Sequence, residues 1–249
     1  MLKVRIIPVL TFNGFGLVKT KEFKNPRMVG NPVQAARVYN NRGVDELVFL
    51  DIFASEQKRK INMKLVSDVI KECYMPVAIG GGIESIEDIN NLLKIGADKV
   101  VIKSKALFDK DFIKEAVSFF GSQCISISVD AYKTERGYKI FNKLGIDKSV
   151  EDFINEMIDC KVGEFVLVSV DNDGMMKGFE IDLINFVEKM TNIPIIAVGG
   201  GGDMQHYNEL FSKTNIQAVG SASIFHFTQY TPLDIKNELK SINIPVRIL

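Results

Sequence analysis

The sequence is short of the residues that mark several large classes of protein. It has no tryptophan, two histidines and three cysteines, and the cysteines (Cys73, Cys124 and Cys160) stand far apart. An odd number of scattered cysteines, without a Cys-x-x-Cys pair, argues against a disulfide framework. Without a histidine–cysteine cluster, a zinc site is not expected either. We therefore predict a protein that carries neither a metal nor another cofactor.

Charge of one sign and long apolar runs are missing as well. The 249 residues include 31 basic and 31 acidic side chains, and a protein without a basic excess is a poor generic binder of nucleic acid or membrane surfaces. No apolar stretch reaches the roughly 18–20 residues that a membrane helix needs. The segment "MLKVRIIPVL" is too short for a signal peptide and lacks a small-residue cleavage site. We expect a cytoplasmic protein with no nucleic-acid and no membrane partner.

What the sequence does contain is an alternation of two kinds of segment. Short apolar runs rich in β-branched residues are typical of buried parallel strands; they read "KVRIIPVL", "ELVFLDI", "PVAIGG", "KVVIKS", "ISISVD", "EFVLVSVD", "IPIIAVGG" and "IQAVGSAS". Between them lie amphipathic stretches with helix-start signals, such as the Ser-x-x-Asp pattern of "SIEDINNLLKIGA". Eight strands, each followed by a helix, in about 250 residues predict an α/β fold, a single-domain (β/α)8 TIM barrel over residues 1–249. A doubly wound sheet is the alternative.

The chain also repeats itself at a long period. Glu46 corresponds to Glu164 at a spacing of 118 positions, and Ser104 corresponds to Ser223 at a spacing of 119. A period of this length suits two half-barrels, about residues 1–123 and 124–249, rather than a solenoid. The same spacing makes Asp130 and Thr11 equivalent strand ends, and only one of these two ends carries an acid.

Glycine clusters after the third and seventh strands predict two anion sites. Each cluster is followed, after the next strand, by a small hydroxyl-bearing segment, Lys103-Ser104 in the first half and Ala222-Ser223 in the second. Glycine lets backbone N–H groups approach an anion, and the start of a helix adds a favourable dipole. Two such sites related by the repeat indicate an elongated ligand with a phosphate at each end, and Lys103 should favour a more highly charged ligand.

Charged residues near the opposite ends of the strands leave two interpretations open. Arg5, Glu46, Lys99 and Glu164 lie near strand starts, and Arg5 has the same parity as Thr11. Lys99 likewise has the same parity as Lys103, and side chains alternate along a strand, so Arg5 and Lys99 face the barrel interior if Thr11 and Lys103 do. They then form a neutral ring, because buried charges need partners. Otherwise they point outward into solvent.

With these motifs in place, the chain resembles over nearly its full length the cyclase subunit of imidazole glycerol phosphate synthase, from histidine biosynthesis. The matching segments are "RIIP", "GVDELVFLDIFAS", "QKRK", "GGGI", "GADKV", "FGSQ", "VDA", "VDNDG.MKGF", "PIIA.GG" and "FHF". The resemblance implies a (β/α)8 barrel that receives ammonia from a glutaminase bound at its N-terminal face. The ammonia then attacks a phosphoribosyl substrate at the other face.

The resemblance also implies roles for individual residues. Arg5, Glu46, Lys99 and Glu164 match a salt-bridged ammonia gate, and Asp98 matches a contact to the glutaminase. Lys19 matches a lysine on a mobile loop that holds substrate. The implied phosphate sites are Gly82 with Ser104, and Gly174 with Gly200, Ala222 and Ser223.

The sequence departs from the family at positions that carry its acid–base chemistry and at their neighbours. The family uses two aspartates as general acid and base; Asp130 fills one place, and Thr11 stands in the other. Lys103 replaces a neutral amide, and Phe53 replaces a small hydroxyl residue. This pattern resembles a diverged paralogue from surface-glycan gene clusters, which is thought to deliver ammonia to a sugar amidotransferase.

Three functions therefore compete. The first is an ammonia-channelling subunit for sugar amidation, whose partners are a glutaminase, a sugar amidotransferase, and a phosphorylated or nucleotide-linked small molecule. The second is a fully active histidine-pathway cyclase. The third is a non-catalytic scaffold that activates a glutaminase. Thr11 favours the first over the second, and the phosphate loops argue against the third.

Overall fold

A computed structural model describes residues 3–248, which fold as a barrel of strands surrounded by helices. The strands are β1 (Arg5–Phe12), β2 (Leu17–Lys21), β3 (Lys24–Gly30), β4 (Leu47–Asp51), β5 (Val77–Gly80), β6 (Lys99–Ile102), β7 (Ile125–Thr134), β8 (Gly137–Ile140), β9 (Glu164–Ser169), β10 (Ile195–Val198) and β11 (Ala218–Ser221). The helices are α1 (Pro32–Asn41), α2 (Met63–Ile70), α3 (Ile86–Lys94), α4 (Lys110–Phe120), α5 (Val150–Asp159), α6 (Ile181–Glu188), α7 (Met204–Lys213), α8 (Ser223–Phe227) and α9 (Pro232–Ser241).

Parallel pairing closes the sheet on itself. The hydrogen-bonded order is β11-β10-β9-β7-β6-β5-β4-β1, and β1 pairs in parallel with β11 through Arg5↔Ala218 and Pro8↔Ser221. A doubly wound sheet has two open edges, so this pairing excludes it. The predicted (β/α)8 barrel is confirmed. The division into half-barrels at residue 123 stays a prediction, although the boundary does fall between α4 and β7.

Helix starts follow the local capping chemistry that the sequence predicts. The Ser85 side chain accepts from the Asp88 backbone N–H while the Asp88 carboxylate accepts from the Ser85 N–H, which makes a capping box at the start of α3. Thr231 and Asp234 make the same arrangement at α9. These caps fix where the helices begin.

Two antiparallel hairpins extend the sheet beyond the barrel. The first follows the fifth barrel strand and is formed by the end of β7 and β8. The segment after β1, for which the resemblance implies a mobile loop, instead folds into the hairpin β2–β3. Glu22, Phe23 and Asn25 at the tip of this hairpin have positive φ angles of 50°, 60° and 50°. For residues with side chains this conformation is uncommon, so surrounding contacts must hold it.

The buried apolar residues form two separate groups. The larger group lies between the strands and the helices. The smaller group, here called the inner cluster, fills the barrel axis, and its buried members are Ile7, Val9, Val48, Ala78, Val101, Val166, Val168, Ile196 and Ala218. Branched aliphatic residues are the usual filling of such a barrel. Within residues 3–248, no helix combines the length and apolar character needed to cross a membrane.

A buried lysine attaches the last helix to the N-terminal end of the barrel. Lys236 on α9 is 1% exposed, and its Nζ donates to Gly43 O and to Asp45 Oδ1, both at 2.9 Å. The other carboxylate oxygen of Asp45 accepts from the Ile6 N–H at 2.9 Å. One carboxylate thus joins β1 to α9.

We predict that Lys236→Met lowers the free energy of unfolding by about 3–5 kcal/mol, because breaking a buried pair leaves an uncompensated charge on Asp45. Urea titration at pH 7 measures the change. Lys240→Met, at an exposed position of the same helix, is the control and should change stability little. Equal effects of the two substitutions would contradict the assigned role of Lys236.

Candidate functional site

At the N-terminal end of the barrel, four charged side chains form a closed ring. Arg5 donates to Glu46 at 2.6 Å and to Glu164 at 2.7 Å. Lys99 donates to Glu46 at 3.0 Å and to Glu164 at 2.8 Å. Each cation thus contacts both carboxylates. Of the two interpretations left open by the sequence, the inward-facing one is correct, and these four residues are called the charged ring below.

The charged ring compensates the burial of its own members. Burial alone would raise the pKa of the Glu164 carboxyl, but Arg5 and then Lys99 hold that pKa below its ordinary value. For Arg5, burial acts to lower the pKa, and the attraction of Glu164 and Glu46 outweighs it and raises the pKa. The side chains of Glu46 and Glu164 are only 4% and 6% exposed, and buried charges need partners, which the two cations provide.

At the opposite end, which we call the mouth, Asp130 is the central carboxylate. Asp130 Oδ2 accepts from Lys103 Nζ at 2.5 Å, and its Oδ1 accepts from Ser128 Oγ at 2.7 Å. Lys103 also lies against two aromatic rings, 5.7 Å from the Phe23 centroid and 5.5 Å from that of Phe141. Phe23 belongs to the β2–β3 hairpin tip, so Lys103 connects that tip to the barrel.

Thr11 also lies at the mouth, and it is already engaged. Its Oγ1 donates to the Val18 carbonyl oxygen across the β1–β2 pair. The hydroxyl proton is therefore committed to the hairpin. A threonine in this state offers lone pairs for a substrate or a water, and it has no carboxylate to take up a proton at neutral pH.

Lys19 lies on strand β2 rather than on a loop. It is 8% exposed and forms an ion pair with Asp173, whose other oxygen accepts from Thr20 Oγ1 at 2.7 Å. The Glu22 N–H also donates to the Asp173 carbonyl at 2.8 Å. Asp173 therefore holds the β2–β3 hairpin over the mouth.

The predicted phosphate residues follow two pairs of adjacent strands. Gly82 follows β5 and Ser104 follows the adjacent strand β6; Gly200 follows β10 and Ala222-Ser223 follow the adjacent β11. Close packing already requires glycine at two of these positions. A Cβ on Gly200, at φ +110°, would meet the Gly178 oxygen at 1.9 Å, and one on Gly174, at φ +72°, would meet the Thr20 oxygen at 2.1 Å.

The Ser223 hydroxyl is the better indicator of a ligand. Ser223 is 5% exposed, and its Oγ is buried without a hydrogen-bond partner within the described residues. A buried hydroxyl without a partner costs free energy, so a ligand that supplies one would bind favourably. His226 on the same helix adds no positive charge at neutral pH, because burial and then Lys19 lower its pKa.

Asp98 lies at the N-terminal face, immediately before β6. It is exposed, and its Oδ2 accepts from the Val77 N–H at 2.8 Å, which holds the start of β5. Tyr74, which precedes the same strand, is 93% exposed.

Sequence reasoning missed several contacts at the mouth. It assigned no partner to Lys19, Lys103 or Arg59. Arg59 makes a bidentate pair with Asp51 at 2.5 and 2.7 Å. Phe53, a departure noted above, lies 5.7 Å from Lys143 Nζ. The residues that meet here come from segments far apart in the chain, so no local sequence pattern predicts their contacts. Within residues 3–248, no group of three or more His, Cys, Asp or Glu side chains is arranged to hold a metal ion.

Comparison with known proteins places the chain among close relatives. A family model described as "Histidine biosynthesis protein" matches residues 5–231. The imidazole glycerol phosphate synthase subunit HisF of Staphylococcus saprophyticus is 42% identical over 99% of this chain and 100% of that protein. The HisF subunits of Streptococcus mutans and Dehalococcoides mccartyi are each 40% identical, over 99% and 100% of this chain and 100% and 99% of their own lengths.

The charged ring generates a pH-dependent prediction. A lowered pKa of Glu164 in the folded state stabilises the fold above the ordinary value of 4.5, and that stabilisation is lost as the pH falls through the lowered pKa. Glu164→Gln should cost about 3–5 kcal/mol at pH 7, and the difference from the unmodified protein should shrink at acid pH. Urea titrations at pH 7, 5 and 3 measure it. The exposed Glu209→Gln should show little change; a pH-independent deficit for Glu164→Gln would refute the charge argument.

The orphaned Ser223 hydroxyl generates a binding prediction. Inorganic phosphate should raise the melting temperature, with about 2.7 kcal/mol of stabilisation at a concentration of 100 times the dissociation constant. Ser223→Ala should weaken this response, whereas Ser212→Ala on the exposed face of α7 should preserve it. A flat response to phosphate in the unmodified protein would remove the anion site.

Proposed function

The chain belongs to the histidine biosynthesis protein family, and from that premise we propose that it is the cyclase-type subunit of an imidazole glycerol phosphate synthase. In this proposal a glutaminase docks on the N-terminal face and releases ammonia there. The ammonia passes the charged ring and reaches a phosphorylated substrate at the mouth. Asp130 acts as the acid–base group, and the loops at Gly82/Ser104 and Gly174/Gly200/Ser223 bind the phosphates.

The observation that carries this proposal is the charged ring. Ion pairs are a costly way to fill a barrel, because packed aliphatic residues in their place are often equally or more stabilising. The inner cluster shows that this chain fills most of its axis with aliphatic residues. Charges at the end opposite the mouth cannot touch a substrate held there. They support a role in admitting something small along the axis.

The N-terminal face offers suitable anchors for a partner. Tyr74 is 93% exposed, and large exposed aromatic residues are the type that dominates protein interfaces. Asp98 keeps one carboxylate oxygen beyond its bond to Val77 and can orient an incoming cation, which acts through register more than through raw affinity. These features support a docked glutaminase.

A second candidate function has its own supporting observation. Thr11 stands where an acid is expected and donates to Val18, while Asp130 is paired with Lys103. Both positions that would move protons are therefore altered or engaged. This favours delivery of ammonia to a separate enzyme, such as one that amidates a sugar for a surface glycan. The similarity to HisF subunits over the whole chain keeps the cyclase as the first candidate.

The test is a cyclase assay of the barrel with its glutaminase, driven by glutamine or by saturating ammonium, that follows formation of imidazole glycerol phosphate. We expect product at a rate at least about a hundredfold below that of a two-aspartate relative, since a positioned acid or base contributes about 10²–10⁴-fold. Asp130→Asn should lower the rate by a further factor in that range. Thr11→Asp should restore part of it.

Controls separate the two candidates. Asp147→Asn, at an exposed ion pair with Lys139, should leave the rate unchanged. A complex in which the barrel activates the glutaminase and releases ammonia but yields no product would favour the second candidate. Failure to form any complex would refute both.

A further inference from the structure

Strand β7 fills the barrel axis differently from its neighbours. Among the barrel strands in residues 3–248, β7 is the one that contributes no apolar side chain to the inner cluster. Its inward positions are Ser126, Ser128 and Asp130, which pair across to Glu164, Val166 and Val168 of β9. The axis is therefore apolar on its other sides and polar along this one line.

The two serines connect the two ends of the barrel. Ser126 is 1% exposed, and its Oγ donates to Glu164 of the charged ring at 3.2 Å. Ser128 is 6% exposed, and its Oγ donates to Asp130 at the mouth at 2.7 Å. Two hydrogen-bonded pairs, Glu164 with Ser126 and Ser128 with Asp130, therefore lie in succession along the inward face of β7.

These hydroxyls keep unused acceptor capacity. A hydroxyl oxygen has two lone pairs besides its own donor, and no donor in the described part of the chain reaches either oxygen. Alanine or valine would pack this axis without burying a polar atom, and burying one has a cost. The serines therefore fit a function other than packing.

The spacing of the serines fits a molecule with one heavy atom. Residues two apart on a strand are separated by about 6.6 Å, and a hydrogen bond spans about 3 Å. A small donor bonded to one hydroxyl oxygen therefore has only a short distance to move before it reaches the other. The surrounding aliphatic side chains favour a neutral solute, because transfer of a charged one into them is far more costly.

We propose that Ser126 and Ser128 are positioning residues that guide neutral ammonia from the charged ring to Asp130. Each hydroxyl oxygen accepts a hydrogen bond from an N–H group of the ammonia, which moves along β7 from Ser126 to Ser128. This inference rests on the proposed function, because it requires that ammonia enter at the ring and be consumed at the mouth.

The test compares two sources of ammonia in the complex with the glutaminase. For each variant, the measured quantity is the ratio of glutamine-driven to ammonium-driven turnover, together with free ammonia released per glutamine. Damage at Asp130 lowers both turnovers and leaves the ratio unchanged. A transfer defect lowers the ratio and releases ammonia. Ser126→Ala and Ser128→Ala should each lower the ratio by about fivefold, the factor that corresponds to one typical hydrogen bond.

Conservative variants separate this role from packing. Ser126→Thr and Ser128→Thr retain the hydroxyl and should largely keep the ratio. Ile127→Val changes the same strand on its outward face and should leave the ratio unaltered. An unchanged ratio in both alanine variants overturns the guiding role while leaving the proposed function intact. A wild-type complex without turnover from either ammonia source overturns both.

Discussion

Closure of the sheet by the β1–β11 pair is the constraint on which the rest of the structure depends. Once the barrel is closed, each strand has a fixed inside, and every second residue must face the axis. Arg5 and Thr11 then lie at opposite ends of one inward-facing line, and Ser126 and Asp130 do the same on β7. A shift of one residue in any pairing would move a whole line to the helices. The positions of the side chains in the charged ring and at the mouth therefore depend on the register of strand pairing.

The mouth is a set of matched charges rather than an open basic pocket. Lys103 is paired with Asp130, Lys19 with Asp173 and Arg59 with Asp51. The Lys103 ammonium has three N–H donors, so an anion at the mouth shares this cation with the Asp130 carboxylate. The aromatic rings of Phe23 and Phe141 lie beside the same ammonium, and Phe23 places the β2–β3 hairpin next to it.

Much of this arrangement could be predicted from the sequence. The rest could not, because it depends on contacts between residues that are far apart in the chain. Periodicity predicts the barrel, and strand parity carries Arg5 inward with Thr11. The same parity could have identified Ser126 and Ser128 from Asp130, although serine has no strong signal of its own. Contacts such as Lys19 with Asp173 join residues 154 positions apart. They depend on how a hairpin folds back over the mouth, and the turn at Glu22 and Phe23 contains no glycine from which it could be predicted.

The charged ring also has a consequence for how parts of the chain recognise each other. Residues 1–123 contain Arg5, Lys99 and Glu46 of the ring, whereas residues 124–249 contain only Glu164. A fragment of the first kind would leave a cation unmatched at its inner surface, and one of the second kind would leave an anion. The two cations and the two carboxylates meet only in the intact barrel, so the neutrality of the ring is a property that neither segment has alone.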